Sequence, residues 1–175
     1  MRAKTPARYA AFLRAVNVGG TGKLAMSDLK DMCAALGFEG VKTYIASGNV
    51  VFRSAASEAD VKQALEARLE AYAGKPVGVI VRTAEELADV LARNPFPDAA
   101  PNRTVAMLTD APANARLIAA IKGITDEDIR PGKRELFIHF PNGQADSKIR
   151  YPADFTGTGR NMNTIAKLAE LAAAL

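Results

Sequence analysis

The residues with the most chemical potential form one string, Arg14-Ala-Val-Asn17-Val-Gly19-Gly20-Thr21-Gly22-Lys23. An apolar run from Tyr9 to Val16 empties into glycines and a lysine, and a helical pattern begins at Ser27. A strand, a pliant loop and a helix start, in that order, can turn backbone N–H groups toward an anion. The string nearly matches the nucleotide-binding pattern of Gly, four residues, Gly-Lys and then Ser or Thr. Gly22-Lys23 fits, but Asn17 stands in the first glycine position and Leu24 in the hydroxyl position. Without that hydroxyl the loop lacks its usual Mg²⁺ ligand. The string therefore suits an anion seat without metal better than a nucleotide hydrolase. Arg14 alternates with Phe12 and Val16, which puts it on their strand face. An arginine buried there must pair with a helix carboxylate or bind an anion.

A second set of polar residues lies near the C-terminus. Gly157-Thr158-Gly159 precedes the last helical pattern, so it reads as a second glycine-rich loop opening a helix. Met162, Ile165, Leu168, Ala169, Ala172 and Leu175 share one helical face. Arg160, Asn163, Thr164 and Lys167 follow the other. Asn161 and Asn163 are poor helix formers, and their closeness suggests capping or contact work. Ser47-Gly48-Asn49 reads as a hairpin turn whose unusual φ explains its residue types. The Ser47 and Asn49 side chains could still offer hydrogen bonds at the sheet rim.

Charge is uneven along the 175 residues, whose net charge is +4. Residues 1–27 hold Arg2, Lys4, Arg8, Arg14 and Lys23 with no acid, and residues 147–167 hold Lys148, Arg150, Arg160 and Lys167 against Asp154 alone. The expected ligand-binding set is therefore Arg14, Asn17, Gly19, Gly20, Lys23, Ser47, Asn49, Lys148, Arg160, Asn161, Asn163 and Lys167. The ligand it suits is anionic and phosphate-bearing, a small molecule or a nucleic acid.

Other chemistries find little support. Cys33 is the single cysteine and lies with Leu29, Met32 and Leu36 on an apolar helix side, so it reads as core. It forms no intrachain disulfide, and a reducing, cytoplasmic location fits. His139, the single histidine, has no nucleophile nearby in sequence. Ser27-Asp28-Leu29-Lys30 matches S-x-x-K without its companion motifs. No Cys/His cluster suits zinc, no acidic loop resembles a calcium site, and no cofactor is expected. The aromatic-rich string of RNA-binding sheets is absent from Val50-Val51-Phe52-Arg53. No apolar run approaches a membrane span.

The elements that must position these residues follow from hydrophobic period. Strands are expected at Tyr9–Val16, Val41–Ser47, Val50–Arg53 and Val77–Arg82, with helices at Ser27–Leu36, capped by Ser27, and Ser57–Tyr72. This strand–helix–strand–strand–helix–strand order is that of a ferredoxin-like plait. A helix over Thr83–Arg93 and a proline-bearing loop, Asn94–Arg103, follow. Then come a strand at Thr104–Thr109, a helix at Pro112–Ile121, and strands at Asp126–Arg130 and Arg134–Phe140 paired across Pro131-Gly132-Lys133. A long loop, Pro141–Gly159, leads to a helix at Asn161–Ala174. The expected fold is α+β, two fused ferredoxin-like units with mainly antiparallel sheets, over residues 1–82 and 83–175, in one globule.

Three strings resemble a bacterial family known as domain of unknown function 1697. The first is Phe12-Leu-Arg-Ala-Val-Asn-Val-Gly-Gly20 with Lys23, Met26, Leu29 and Leu36-Gly37-Phe38. The second is Val41-Lys-Thr-Tyr-Ile-Ala-Ser-Gly-Asn-Val-Val-Phe52. The third is Ser147-Lys148 and Gly157-Thr-Gly-Arg-Asn-Met-Asn-Thr164 with Lys167-Leu168. Met162 departs from the tryptophan usual in that family, which argues against aromatic stacking there. The resemblance implies a pair of ferredoxin-like units and assigns no activity. Three functional classes follow. The foremost is a binding protein whose glycine-rich loops and final helix share one cationic pocket. The second is an enzyme using the same cleft without a covalent nucleophile, with Asp28, Asp146 or Asp154 as its acid or base. The third is a protein-interaction module.

Overall fold

Alanines, two aromatics and a leucine make Ala7–Leu13 a largely apolar run interrupted only by Arg8, and this run is β1. The computed structural model describes residues 4–15 and 23–175. The first unit continues with helix α1 (Met26–Ala35), strands β2 (Glu39–Thr43) and β3 (Asn49–Ser54), helix α2 (Glu58–Ala73) and strand β4 (Val79–Thr83). Its sheet has the order β2-β3-β1-β4 with every pair antiparallel, which is the ferredoxin-like plait. Alternation turns Tyr9, Ala11 and Leu13 of β1, Val50 and Phe52 of β3, and Val79 and Val81 of β4 onto one face. Leu29, Met32 and Cys33 of α1 and Val61, Leu65 and Leu69 of α2 close over them. Phe38 stacks on Phe52 with ring centroids 4.3 Å apart. The opposite face, with Ala10, Phe12, Val51, Ile80 and Arg82, is buried too.

Local chemistry sets the helix ends. The Ser57 hydroxyl accepts from the Asp60 N–H at 3.2 Å, and Gly74, at φ 72°, ends α2 by donating to the Glu70 carbonyl. Thr83 and Glu86 form a reciprocal capping box at the start of helix α3 (Ala84–Ala92). Ser27 does not cap α1, which begins one residue earlier after Ala25 and has no side-chain cap.

The second unit contains β5 (Thr104–Leu108), α4 (Ala115–Ala120), β6 (Asp128–Pro131), β7 (Glu135–His139) and β8 (Thr158–Asn161), ordered β6-β7-β5-β8 and again antiparallel. Helix α5 (Met162–Ala173) ends the chain. By compactness the units are Met1–Leu87 with Lys167–Leu175, and Ala88–Ala166. The division falls near the sequence-based boundary after residue 82, but Lys167–Leu175 goes with the first unit.

One expectation fails here. Gly157-Thr158-Gly159 is not a loop opening a helix. Thr158 and Gly159 pair with Leu108 and Met107 as strand β8, and α5 follows at once. Glycine weakens strand propensity, which hid the strand, and packing explains the residue choice. A Cβ on Gly157 would lie 2.3 Å from the Phe155 ring and 2.8 Å from the Leu108 carbonyl oxygen, and one on Gly159 would lie 2.9 Å from Met107 Cε.

No helix crosses the gap between β7 and β8, where the first plait has α2. An irregular segment covers that core instead, with Ile149, Tyr151 and Phe155 packed against Val105, Met107, Leu136 and Ile138. Tyr151 and Phe155 stack at 4.6 Å. Arg150 and Lys122 exchange both backbone hydrogen bonds, at 2.8 and 2.9 Å. Gly123, at φ 75°, lets this pair close, since a Cβ there would lie 2.1 Å from the Lys148 carbonyl oxygen. Glu127 ties the segment down by accepting from the Ser147 hydroxyl at 2.7 Å and the Thr125 N–H at 2.8 Å. The Ser147 hydrogen bond first, and the Thr125 N–H next, hold the Glu127 carboxyl at about 2 against an ordinary 4.5.

Two outcomes follow. Gly157→Ala lowers the unfolding free energy by about 1–3 kcal/mol through overpacking, measured by urea denaturation. Because the folded pKa of Glu127 is depressed, its contribution is full above the ordinary value of 4.5 and is lost as pH falls toward 2. Glu127→Gln therefore flattens the acid limb of melting temperature against pH over that interval, and an unchanged limb contradicts the assignment.

Candidate functional site

The first unit gathers three connections at one end of its sheet. β1 ends at Leu13, three residues before the expected end at position 16. The Leu13 N–H donates to the Gly48 carbonyl and the Arg14 N–H to the Gly78 carbonyl, both at 2.8 Å. The strand exit is thus held between the β2–β3 loop and the residue leading into β4. Arg14 is exposed rather than buried on the face of Phe12, because the strand stops before it. Its stem lies over Gly78, with Cβ and Cδ each 3.6 Å from the position a Cβ would take. Lys23 is exposed as well. Asn17, Gly19 and Gly20 lie outside the described residues.

The β2–β3 connection also differs from the expected turn. Strand β2 stops at Thr43, residues 44–48 form the loop, and Asn49 already belongs to β3. Asn49 is fully buried; its side-chain amide donates to the Tyr44 carbonyl at 3.0 Å and to the Ser47 hydroxyl at 2.9 Å. Its backbone carbonyl accepts from the Tyr44 N–H at 3.0 Å. Asn49 is therefore the clasp of the loop, and Ser47, half-buried, stands nearer the rim. Gly48, at φ 88°, supplies the turn's left-handed backbone.

Sequence reasoning missed two positions here. Ala15 and Ile45 have φ of 55° and 51°, the non-glycine residues in that region among the described residues. A β-branched side chain in this conformation is strained, and such strain concentrates at functional sites. Ile45 is also 49% exposed. Neither property is legible in a string of residue types.

The second unit and α5 hold the other candidates. Arg160 lies in β8 beside Ala106 and is 8% exposed. Its guanidinium donates to the Thr158 hydroxyl at 2.7 Å and the Gly159 carbonyl at 2.9 Å, and burial draws its pKa down to about 10. Asn161 accepts the Thr164 N–H at 3.0 Å and so caps α5. The polar stripe expected on α5 is broken, because Thr164 is buried while Asn163 is exposed. Lys167 approaches Glu170 at 3.5 Å, and Lys148 is exposed. Arg82, which the sequence did not mark, is 2% exposed and donates to the Val81 carbonyl at 2.9 Å.

Cys33, His139 and Asp28 are each engaged in contacts of the fold. Burial pushes the Cys33 thiol up to about 12. His139 packs against Phe96 with centroids 5.7 Å apart, and Asp28 accepts from the Tyr72 hydroxyl at 2.9 Å. A hollow of about 190 Å³ is lined by Thr125, Asp126, Glu127, Asn142, Asp146 and Ser147. Asp126 accepts from the Asn142 amide there. No group of three or more metal-ligating side chains forms among the described residues, and no described helix is long and apolar enough to cross a membrane.

No curated protein matches the chain. In structure it is similar to the conserved bacterial protein SP0830 from Streptococcus pneumoniae, with 25% identity, a TM-score of 0.79, and coverage of 95% of this chain and 99% of that one. That likeness extends through both plaits and agrees with the fold. The family described as protein of unknown function, DUF1697, matches over residues 7–137, from β1 to the middle of β7. The chain belongs to that family.

Proposed function

We propose that this protein binds an anionic, phosphate-bearing ligand at the end of the first sheet, where β1, the β2–β3 loop and the approach to β4 meet. Arg14 and Lys23 supply charge, and Ser47 supplies a hydroxyl. Asn17, Gly19 and Gly20 supply an amide and close backbone approach. The observation that carries this reading is the double tether of the strand exit, to Gly48 and to Gly78, which fixes the base of an exposed arginine between two loops. A preorganised base limits the ordering that binding must otherwise supply. The strained backbone at Ala15 and Ile45 on the same rim supports it. Asn49 enters as the clasp that shapes the loop, not as a ligand contact, since its side chain is enclosed. A cytoplasmic setting is proposed with it, since a lone buried thiol suits a reducing compartment.

Screening nucleotides and phosphosugars by thermal shift tests this, because a ligand that binds only the folded chain raises the melting point with concentration. Arg14→Ala and Lys23→Ala should each lose most of that shift. Retention of the full shift in both sinks the proposal. Ile45→Gly should stabilise the unliganded protein by about 1 kcal/mol, left-handed strain relieved less the entropy of glycine. The same variant should weaken the ligand-induced shift, read in the same melting assay.

A further inference from the structure

We propose that Lys122, Lys148 and Arg150 of the second unit form a docking ribbon for the phosphate backbone of single-stranded nucleic acid. Lys122 and Arg150 are a hydrogen-bonded antiparallel pair, so their side chains leave on the same side with Cα atoms about 5.5 Å apart. Ile149 and Tyr151 pack inward against the core, as does Ile121, which leaves Lys148, Arg150 and Lys122 to point outward. All three cations are exposed. Lys148 stands two residues from Arg150 in sequence. Like charges facing each other across a strand pair oppose the pairing.

The surrounding acids do not relieve this. None of the three cations makes an ion pair among the described residues. Asp126 and Glu127 instead meet neutral donors, Asn142, Thr125 and Ser147, on the side of the hollow. The three cations therefore stand exposed without a carboxylate partner among the described residues.

The shape of the strip selects the partner. Lys122 and Arg150 leave their paired backbones on one side, with Lys148 exposed close by in sequence, which suits successive phosphates of a linear polyanion better than one small ion. Ile124, 40% exposed and two residues from Lys122, adds apolar surface for a base. An anionic bilayer is a poorer match, since lipid-binding clusters commonly hold four to eight cations and one isoleucine buries little apolar area. The inference concerns residues apart from Arg14 and Lys23 and does not depend on the site proposed for them.

Fluorescence anisotropy with a labelled single-stranded oligothymidylate, titrated with the full chain across a salt series, tests it. Each phosphate contact on a single strand contributes about 0.7 to the slope of log affinity against log salt, so the triple variant Lys122→Gln/Lys148→Gln/Arg150→Gln should lose about 2 from that slope. Lys148→Arg should keep it, and Arg14→Ala/Lys23→Ala should keep the ribbon's share. Equal slopes for wild type and triple variant, with equal melting points, overturn the proposal. So does wild-type protein that fails to bind the oligonucleotide at low salt, or that binds phosphatidylserine vesicles instead.

Discussion

Two backbone hydrogen bonds at the end of β1, from Leu13 to Gly48 and from Arg14 to Gly78, constrain most of what surrounds the candidate site. β1 is flanked by β3 and β4 in the sheet. Extending the ladder past Leu13 on both sides forces the β2–β3 loop and the approach to β4 to flank the strand exit. Arg14, just past the end of β1, is exposed, and Ala15 beside it has left-handed backbone. The loop on the β3 side keeps its form through Asn49, whose enclosed amide meets Tyr44 and Ser47. A buried amide has few other ways to satisfy its donors, so the loop is held in one shape.

Buried charge follows the same logic. Glu135 is 2% exposed, yet its carboxylate accepts from the backbone N–H groups of Lys133 and Arg134, each at 3.1 Å, and meets Arg93. It therefore closes the Pro131-Gly132-Lys133 turn while sitting inside the unit. Asp89 joins it through Arg93 at 2.8 Å and Lys133 at 3.0 Å. The exposed pairs, such as Arg130 with Asp128, add little beside this network, because solvent screens them. Removing Glu135 would leave the turn donors without their acceptor and take from Arg93 one of its two carboxylates, a larger loss than any surface pair makes.

Much of the first plait was legible because its signals are periodic. The i, i+4 stripe of Val61, Leu65 and Leu69 and the short β-branched apolar runs of β3 and β4 each depend on neighbours in sequence. β8 was not, because its residues are chosen for what lies across from them. Gly157 and Gly159 yield room to Phe155, Leu108 and Met107, and that steric demand is invisible from the strand's own letters. Asn49 misled for the same reason. Asn-Gly chemistry suggests a turn, while burial and the register opposite Phe12 make it a strand residue. For the site, the charged residues were legible and their exposure was not. Arg14 follows an alternating run, and only the end of the ladder decides that it escapes the core.

The second plait dispenses with a helix, and the consequences reach its surface. In the first unit Val61, Leu65 and Leu69 cover the sheet from a helix whose backbone hydrogen bonds are internal. In the second, Ile149, Tyr151 and Phe155 provide apolar cover from irregular chain. That chain must satisfy its backbone by other means, which is why Arg150 pairs with Lys122 and why Ser147 and Glu127 are joined. A helix spreads its outward residues over a broad arc, whereas an extended chain sends alternate residues to one side. With Ile149 and Tyr151 turned to the core, Arg150 between them is exposed, and the backbone pairing brings Lys122 beside it. The charged strip is thus a consequence of covering this core without a helix. The residue types at its outward positions are what packing leaves undetermined, and all three are basic.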